Sequence, residues 1–214
     1  MEEKRQIWCS NYRASYYQNN RSLMDAFCQK EVFDRFQKKQ PCLLYAPTCL
    51  DQELSTTFFE ASTLLDNLPS EYNLLVKLHP ALIEKAPWEV GEFMHRYRSR
   101  SNLVILDQFP LVYPILQQID GYIGDLSSMG YDFLGFGKPM FFLKNGPLTP
   151  PRLLEGVCLS LPVEKASQIY ALLDQPPNVP QQRALYLRAF GPSLSWIELS
   201  CLLPKQIQTW MDLC

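Results

Sequence analysis

Three short stretches of the chain combine residue types that hold anions. The longest, Gly124-Asp125-Leu126-Ser127-Ser128-Met129-Gly130-Tyr131-Asp132, follows the apolar run Gly121-Tyr122-Ile123 and opens a helix-like stretch ending at Gly137-Lys138-Pro139. A strand, a turn with paired hydroxyls and a helix start suit a phosphate. The first N–H groups of a helix are unpaired, its dipole favours an anion, and serine hydroxyls add donors. The same residues also fit an ordinary helix start with Ser127 as N-cap, worth about 1 kcal/mol.

The other two stretches are Ala46-Pro47-Thr48 and Lys77-Leu78-His79-Pro80, each just after a short apolar run. If the runs are strands of one parallel sheet, all three stretches share its carboxyl edge. Lys77, His79 and a helix N-terminus there suit a diphosphate: cation and dipole offset its charge, while imidazole and hydroxyls bind its oxygens. Pro80 keeps His79 out of a helix and at a strand terminus, although a histidine there also fits a structural bond to a nearby carbonyl. Lys77 also fits a side chain snorkelling to solvent. Asp132, four residues after Ser128, shares its helix face and either accepts from a ribose or faces water. Asp125 fits a turn cap. His95, in Met94-His95-Arg96-Tyr97-Arg98, reads as a surface residue. The candidate phosphate and nucleotide ligands are Thr48, Lys77, His79, Ser127, Ser128 and Asp132.

The elements that would position these residues alternate along the chain. Strands are expected at 6–10, 42–46, 74–78, 103–106, 122–123 and 140–143. Helices are expected at 23–38, 52–65, 89–98, within 110–118 and after the serine turn. The strands are apolar rather than alternating, so both faces are covered. That pattern predicts an α/β fold with a Rossmann-like, doubly wound parallel sheet and flanking helices, whose ligands sit at the carboxyl ends of the strands. Residues 1–150 are expected to form this nucleotide-binding domain. Residues 151–214, broken by Pro150-Pro151 and Pro176-Pro177, are expected to form a helical C-terminal extension on the same domain, with helices at 165–173, 181–190 and 205–213.

The motifs, in this order, resemble the nucleotide-binding half of the CDP-glycerol glycerophosphotransferase family, which builds teichoic-acid-type polymers. Leu44-Tyr45-Ala46-Pro47-Thr48, Leu75-Val76-Lys77-Leu78-His79-Pro80, Ile123–Asp132 and Gly135-Phe136-Gly137-Lys138-Pro139-Met140-Phe141-Phe142 carry the resemblance. It implies one half of a GT-B arrangement of two Rossmann-like domains, with the donor bound mainly by this half. His79, Ser127 and Ser128 would meet the donor pyrophosphate, with His79 as the catalytic residue. Thr48 would lie near the nucleotide and Asp132 near its ribose. The donor would be a substrate such as CDP-glycerol or a UDP-sugar, with no separate cofactor. The family's acceptor site and catalytic base come from a preceding domain, so a partner chain or a homo-oligomer is expected to complete the site. Of the further histidine and basic residues the family carries after the KLHP-like turn, only His95 and scattered arginines are present.

Composition narrows the alternatives. The 214 residues, 47% hydrophobic, suffice for one large domain with a substantial core. A net charge of −2 gives no general reason to expect nucleic acid, though it leaves room for a local basic patch. Seven scattered cysteines without a C-x-x-C pair, and two histidines, argue against a disulfide framework or a metal site. The N-terminus Met1-Glu2-Glu3-Lys4-Arg5 lacks an apolar signal core, and no apolar run is long enough to span a bilayer, so a cytoplasmic protein is expected. Two other readings remain: a non-catalytic nucleotide- or anion-binding module, and a sugar-nucleotide epimerase, which would need cleft carboxylates from Asp125 and Asp132.

Overall fold

The computed structural model describes residues 9–48, 56–145 and 156–212. Six strands, β1 (Cys42–Ala46), β2 (Asn73–Lys77), β3 (Leu103–Leu106), β4 (Gly121–Gly124), β5 (Met140–Lys144) and β6 (Leu159–Pro162), form one sheet in the order β3-β2-β1-β4-β5-β6. Every pairing is parallel. This is the Rossmann-like sheet expected from the sequence, with its order reversing between β1 and β4. Leu44 sits at the centre, in register with Leu75 on one side and Tyr122 on the other.

Alternate strand residues feed two cores, which is why the strands read as continuous apolar runs. Leu43, Tyr45, Leu74, Val76 and Ile123 pack against helices α3 (Ser62–Asp66), α4 (Pro80–Lys85) and α5 (Pro87–Tyr97). Leu44, Leu75, Val104, Tyr122 and Phe142 pack on the opposite face against α2 (Arg21–Glu31), α6 (Tyr113–Gln118) and α7 (Ser128–Phe133). Helices α1 (Tyr12–Asn19), α8 (Val179–Phe190) and α9 (Trp196–Asp212) complete the layer.

Several elements differ from expectation. Of the strand expected at 6–10, residues 6–8 lie outside the described residues, and Ser10 has φ 52°. Helix α2 stops at Glu31, because the fully buried Val32 leaves helical geometry (φ −122°, ψ −64°), and a 3₁₀ turn, Phe33–Arg35, follows. The helix expected at 52–65 begins in residues that are not described; its remainder is a 3₁₀ turn, Phe58–Glu60, and α3. The C-terminal segment contributes β6 before its helices. Pro162 is tolerated there because β6 is an edge strand. The helix expected at 165–173 is 3₁₀ over Val163–Leu172.

Gly124 ends β4 where the chain leaves for the serine turn. A Cβ there would lie 2.6 Å from the Tyr122 hydroxyl oxygen and 2.7 Å from the Ala46 carbonyl oxygen, the latter backbone of the neighbouring strand. Gly124→Ala is therefore expected to destabilise the fold by about 1–3 kcal/mol, read as a lower urea midpoint with an unchanged slope.

Candidate functional site

Strands β1, β2 and β4 are adjacent, so their carboxyl ends deliver the three motifs to one place. A cavity of about 740 Å³ is lined by Pro47 and Thr48 after β1, Lys77 and His79 at the end of β2, and Ser127, Ser128 and Met129 after β4. Five of the six candidate ligands thus meet.

The walls are tied together by Asp125, which is 4% exposed. Its carboxylate accepts from the Thr48 N–H at 2.7 Å, from the Thr57 N–H and the Thr56 hydroxyl at 3.3 Å, and from the Thr57 hydroxyl. Burial pushes its pKa above the usual carboxylate range, and the threonine donors pull it back. Asp125 therefore joins the end of β4 to the segment following β1 rather than facing the cavity. Thr56 and Thr57 carried no sequence signal for this role, being more than sixty residues away.

Ser127 occupies the N-cap position of α7 in extended geometry (φ −147°, ψ 167°), yet its side chain makes no capping bond. Its Oγ lies 3.3 Å from the Tyr122 hydroxyl instead. The Gly130 and Tyr131 N–H groups bond to the Ser127 carbonyl, while those of Ser128 and Met129 precede any intrahelical acceptor. Ser127 thus lines the cavity without being consumed by the helix.

His79 is exposed and caps α4: its Nδ1 accepts from the Ala81 N–H at 3.2 Å. An accepting Nδ1 carries no hydrogen, so the neutral ring has its N–H at Nε2. The structural partner is a backbone N–H rather than the carbonyl considered from sequence, and it leaves Nε2 as a donor. Lys77 is 9% exposed and has no carboxylate partner among the described residues. Burial holds its pKa below the usual lysine value.

Asp132 is placed elsewhere. It is 3% exposed, does not line the cavity, and accepts from Tyr113 (2.7 Å), Asn11 (3.2 Å) and Arg13 (3.0 Å to Oδ2, 3.1 Å to Oδ1). Burial raises its pKa, offset chiefly by the Tyr113 bond and Arg13. Its position on the first turns of α7 suggested water or a ribose; the structure instead uses it to pin α1 against α6 and α7. Among the described residues, no group of three His, Cys, Asp or Glu could hold a metal ion, and no helix is long and apolar enough to cross a membrane.

Residues 19–145, more than half of the chain, match the family model described as CDP-Glycerol:Poly(glycerophosphate) glycerophosphotransferase. The chain belongs to this family. A teichoic acid glycerol-phosphate primase from Bacillus spizizenii is 33% identical over 102 residues, 47% of this chain and 24% of the primase. A solved variant of the wall teichoic acid polymerase TagF, soaked with CDPG, aligns over all of this chain and 53% of its own, with a TM-score of 0.64 and 14% identity. The UDP-GlcNAc 2-epimerase from Neisseria meningitidis, bound to UDP-GlcNAc, has a TM-score of 0.56 at 10% identity, covering 92% of this chain and 52% of that one. At these identities the solved structures establish the fold, one half of a GT-B arrangement. The chain spans about half the length of these structures, and its match to the primase covers a quarter of that relative. The family match takes in β1 to β5 and every residue lining the cavity.

The buried Lys77 gives the cavity a pH signature. Between its depressed pKa and the ordinary 10.5, the unfolded chain binds more protons than the folded one, so stability rises with pH across that window. An anion beside the ammonium lifts the pKa back, so anion binding takes up protons and weakens as pH rises through the same window. Lys77→Met is expected to remove both slopes, measured by urea titration and by calorimetry across roughly pH 7 to 10.

Proposed function

We propose that the strand-end cavity binds the diphosphate of a nucleotide-activated donor, and that the chain is the donor-binding half of a CDP-glycerol glycerophosphotransferase-like protein. The observation carrying this reading is the convergence of Lys77, His79, Ser127 and Ser128 on one cavity. A cation without a carboxylate partner among the described residues, an imidazole with Nε2–H available and the first N–H groups of α7 are complementary to a diphosphate.

For a CDP-glycerol donor, an acceptor hydroxyl oxygen would bond to the phosphorus of the glycerophosphoryl group. The P–O bond to the cytidylate would break, and that electron pair would leave on CMP. His79 Nε2–H and Lys77 would stabilise the charge growing on the leaving phosphate, the electrostatic part of catalysis. The acceptor's proton needs a base, which we assign to a second GT-B half supplied by another domain or a partner chain. The epimerase reading needs carboxylates in the cavity, but Asp125 and Asp132 are both buried and bonded elsewhere. A non-catalytic binding module uses the same contacts and differs only in lacking turnover.

Calorimetry with CDP-glycerol, CDP and UDP should give measurable heats at low salt, and no heat with any of them removes the donor reading. His79→Ala and Ser127→Ala should each weaken binding about tenfold, the scale of one charge-assisted hydrogen bond; Ser127→Ala should leave the melting temperature nearly unchanged, and His79→Ala should lower it by only about 2–4 °C through the lost cap of α4. A collapse of the fold in either variant would make that residue structural. Transfer of glycerophosphate after the complementary half is added, absent with His79→Ala, separates the enzyme from the binding module.

A further inference from the structure

Strand β4 carries a phenol just beneath the strand-end cavity. Tyr122 is fully buried, and its ring is clamped by Phe133, stacked with centroids 5.5 Å apart, and by Phe142, edge-on at 6.2 Å. The ring leans along β4 toward the carboxyl end, since its oxygen lies 2.6 Å from where a Cβ at Gly124 would stand. One side chain thus fills the space of the residue two positions on, which glycine leaves free. Among the described residues the hydroxyl has one hydrogen-bonding partner, Ser127 Oγ at 3.3 Å. Ser127 is partly exposed and lines the cavity, whereas Tyr122 does not.

The contact has a direction. A buried hydroxyl hydrogen needs an acceptor, because leaving it unmet costs about 1–3 kcal/mol. For Tyr122 that acceptor is Ser127 Oγ, while the hydrogen of Ser127 is free to turn into the cavity. Burial also pushes the phenol pKa above the usual tyrosine range, so the phenol keeps its hydrogen. Ser127 Oγ has lone pairs to give, because it makes no capping bond to α7, the role its N-cap position would ordinarily assign it. Phenol to serine and serine to cavity is a series that ends in a donor, and phosphate oxygens only accept. We propose that Tyr122 is a positioning residue: its hydroxyl donates to Ser127 Oγ and thereby aims the Ser127 hydrogen at the diphosphate bound in the strand-end cavity. At 3.3 Å the contact is longer than the roughly 2.7–2.8 Å usual between hydroxyls. An anion accepting from Ser127 makes its Oγ a stronger acceptor and draws the phenol closer. The inference deepens the donor reading and rests on it.

The test is a double-mutant cycle on the full chain, read by calorimetry with CDP. Tyr122→Phe should weaken binding about fivefold and Ser127→Ala about tenfold. Because the phenol acts through the serine, the double variant should bind about as weakly as Ser127→Ala alone, not the roughly fiftyfold weaker that independent effects would give. A merely structural phenol would weaken binding by the same factor with or without Ser127, and that result overturns the proposal. So does a Tyr122→Phe or a Ser127→Ala variant that binds CDP as the wild type does. Melting temperatures on the same variants report the fold. A second measurement needs no variant at Tyr122. In the wild-type chain with labelled tyrosine, the Tyr122 hydroxyl proton, assigned by its change in Ser127→Ala, should exchange slowly and move downfield in the NMR spectrum when CDP binds. A fast-exchanging proton, or one that ignores bound CDP, overturns the proposal while leaving the donor reading intact. No heat from the wild type with CDP-glycerol, CDP or UDP overturns both.

Discussion

The carboxylate of Asp125 is the contact on which the strand-end cavity depends. It leaves water at the carboxyl end of β4, and ionised carboxylates are tolerated in such places only when donors replace the lost hydration. Here the donors are two backbone N–H groups and two threonine hydroxyls from the segment following β1. One buried charge thereby fixes the separation of two walls that no strand pairing reaches beyond Ala46 and Gly124. Gly124 belongs to the same arrangement. Without a side chain it lets the Tyr122 hydroxyl and the Ala46 carbonyl approach, and that hydroxyl then reaches Ser127.

What the sequence revealed follows the range of the forces involved. Strands β1 and β3 appear where the apolar runs place them, since Cys42–Ala46 and Leu103–Leu106 are bounded by Pro41 and Pro47 in one case and by Asn102 and Asp107 in the other. The meeting of Thr48, Lys77, His79, Ser127 and Ser128 was legible because a parallel sheet carries every strand end to one edge. Helix α1 was not. Its sequence, Tyr-Arg-Ala-Ser-Tyr-Tyr-Gln-Asn, has a weak apolar period, and long-range contacts hold it: Arg13 on Asp132, Ser15 on the Leu194 carbonyl, and Tyr16 against Trp196 with ring centroids 5.1 Å apart. Tertiary contacts overrode local propensity there. The same contacts explain Asp132, whose helix position was legible and whose partner 119 residues away was not.

Charge is sorted across the molecule in a way composition could not convey. Asp125 and Asp132, the carboxylates of the serine-turn motif, are saturated by threonine, tyrosine, asparagine and arginine donors and buried away from the strand-end cavity. Lys77 meanwhile keeps its ammonium in a largely dry setting with no counter-charge among the described residues. Acidic residues elsewhere still bring the chain to −2. Net charge therefore does not predict the sign of the field at the cavity, because that is set by which charges have been paired off locally.

That pairing bears on why the cavity favours an anion before any ligand arrives. A catalytic field is most effective when its dipoles are held in place by bonds that do not involve the substrate. His79 meets this condition, since its Nδ1 is occupied by the cap of α4 and its Nε2–H is oriented by the same bond. Lys77 meets it by different means: burial has already removed most of the water that would otherwise screen it. Ser127 meets it through the Tyr122 hydroxyl, which occupies the side chain without drawing it onto the helix. Of the three, Ser127 is oriented by a neighbour that the sheet itself holds still. Releasing the threonine donors from Asp125 would do more than loosen a loop. It would remove the bonds that hold down the pKa of a buried carboxyl and free the wall that carries Thr48.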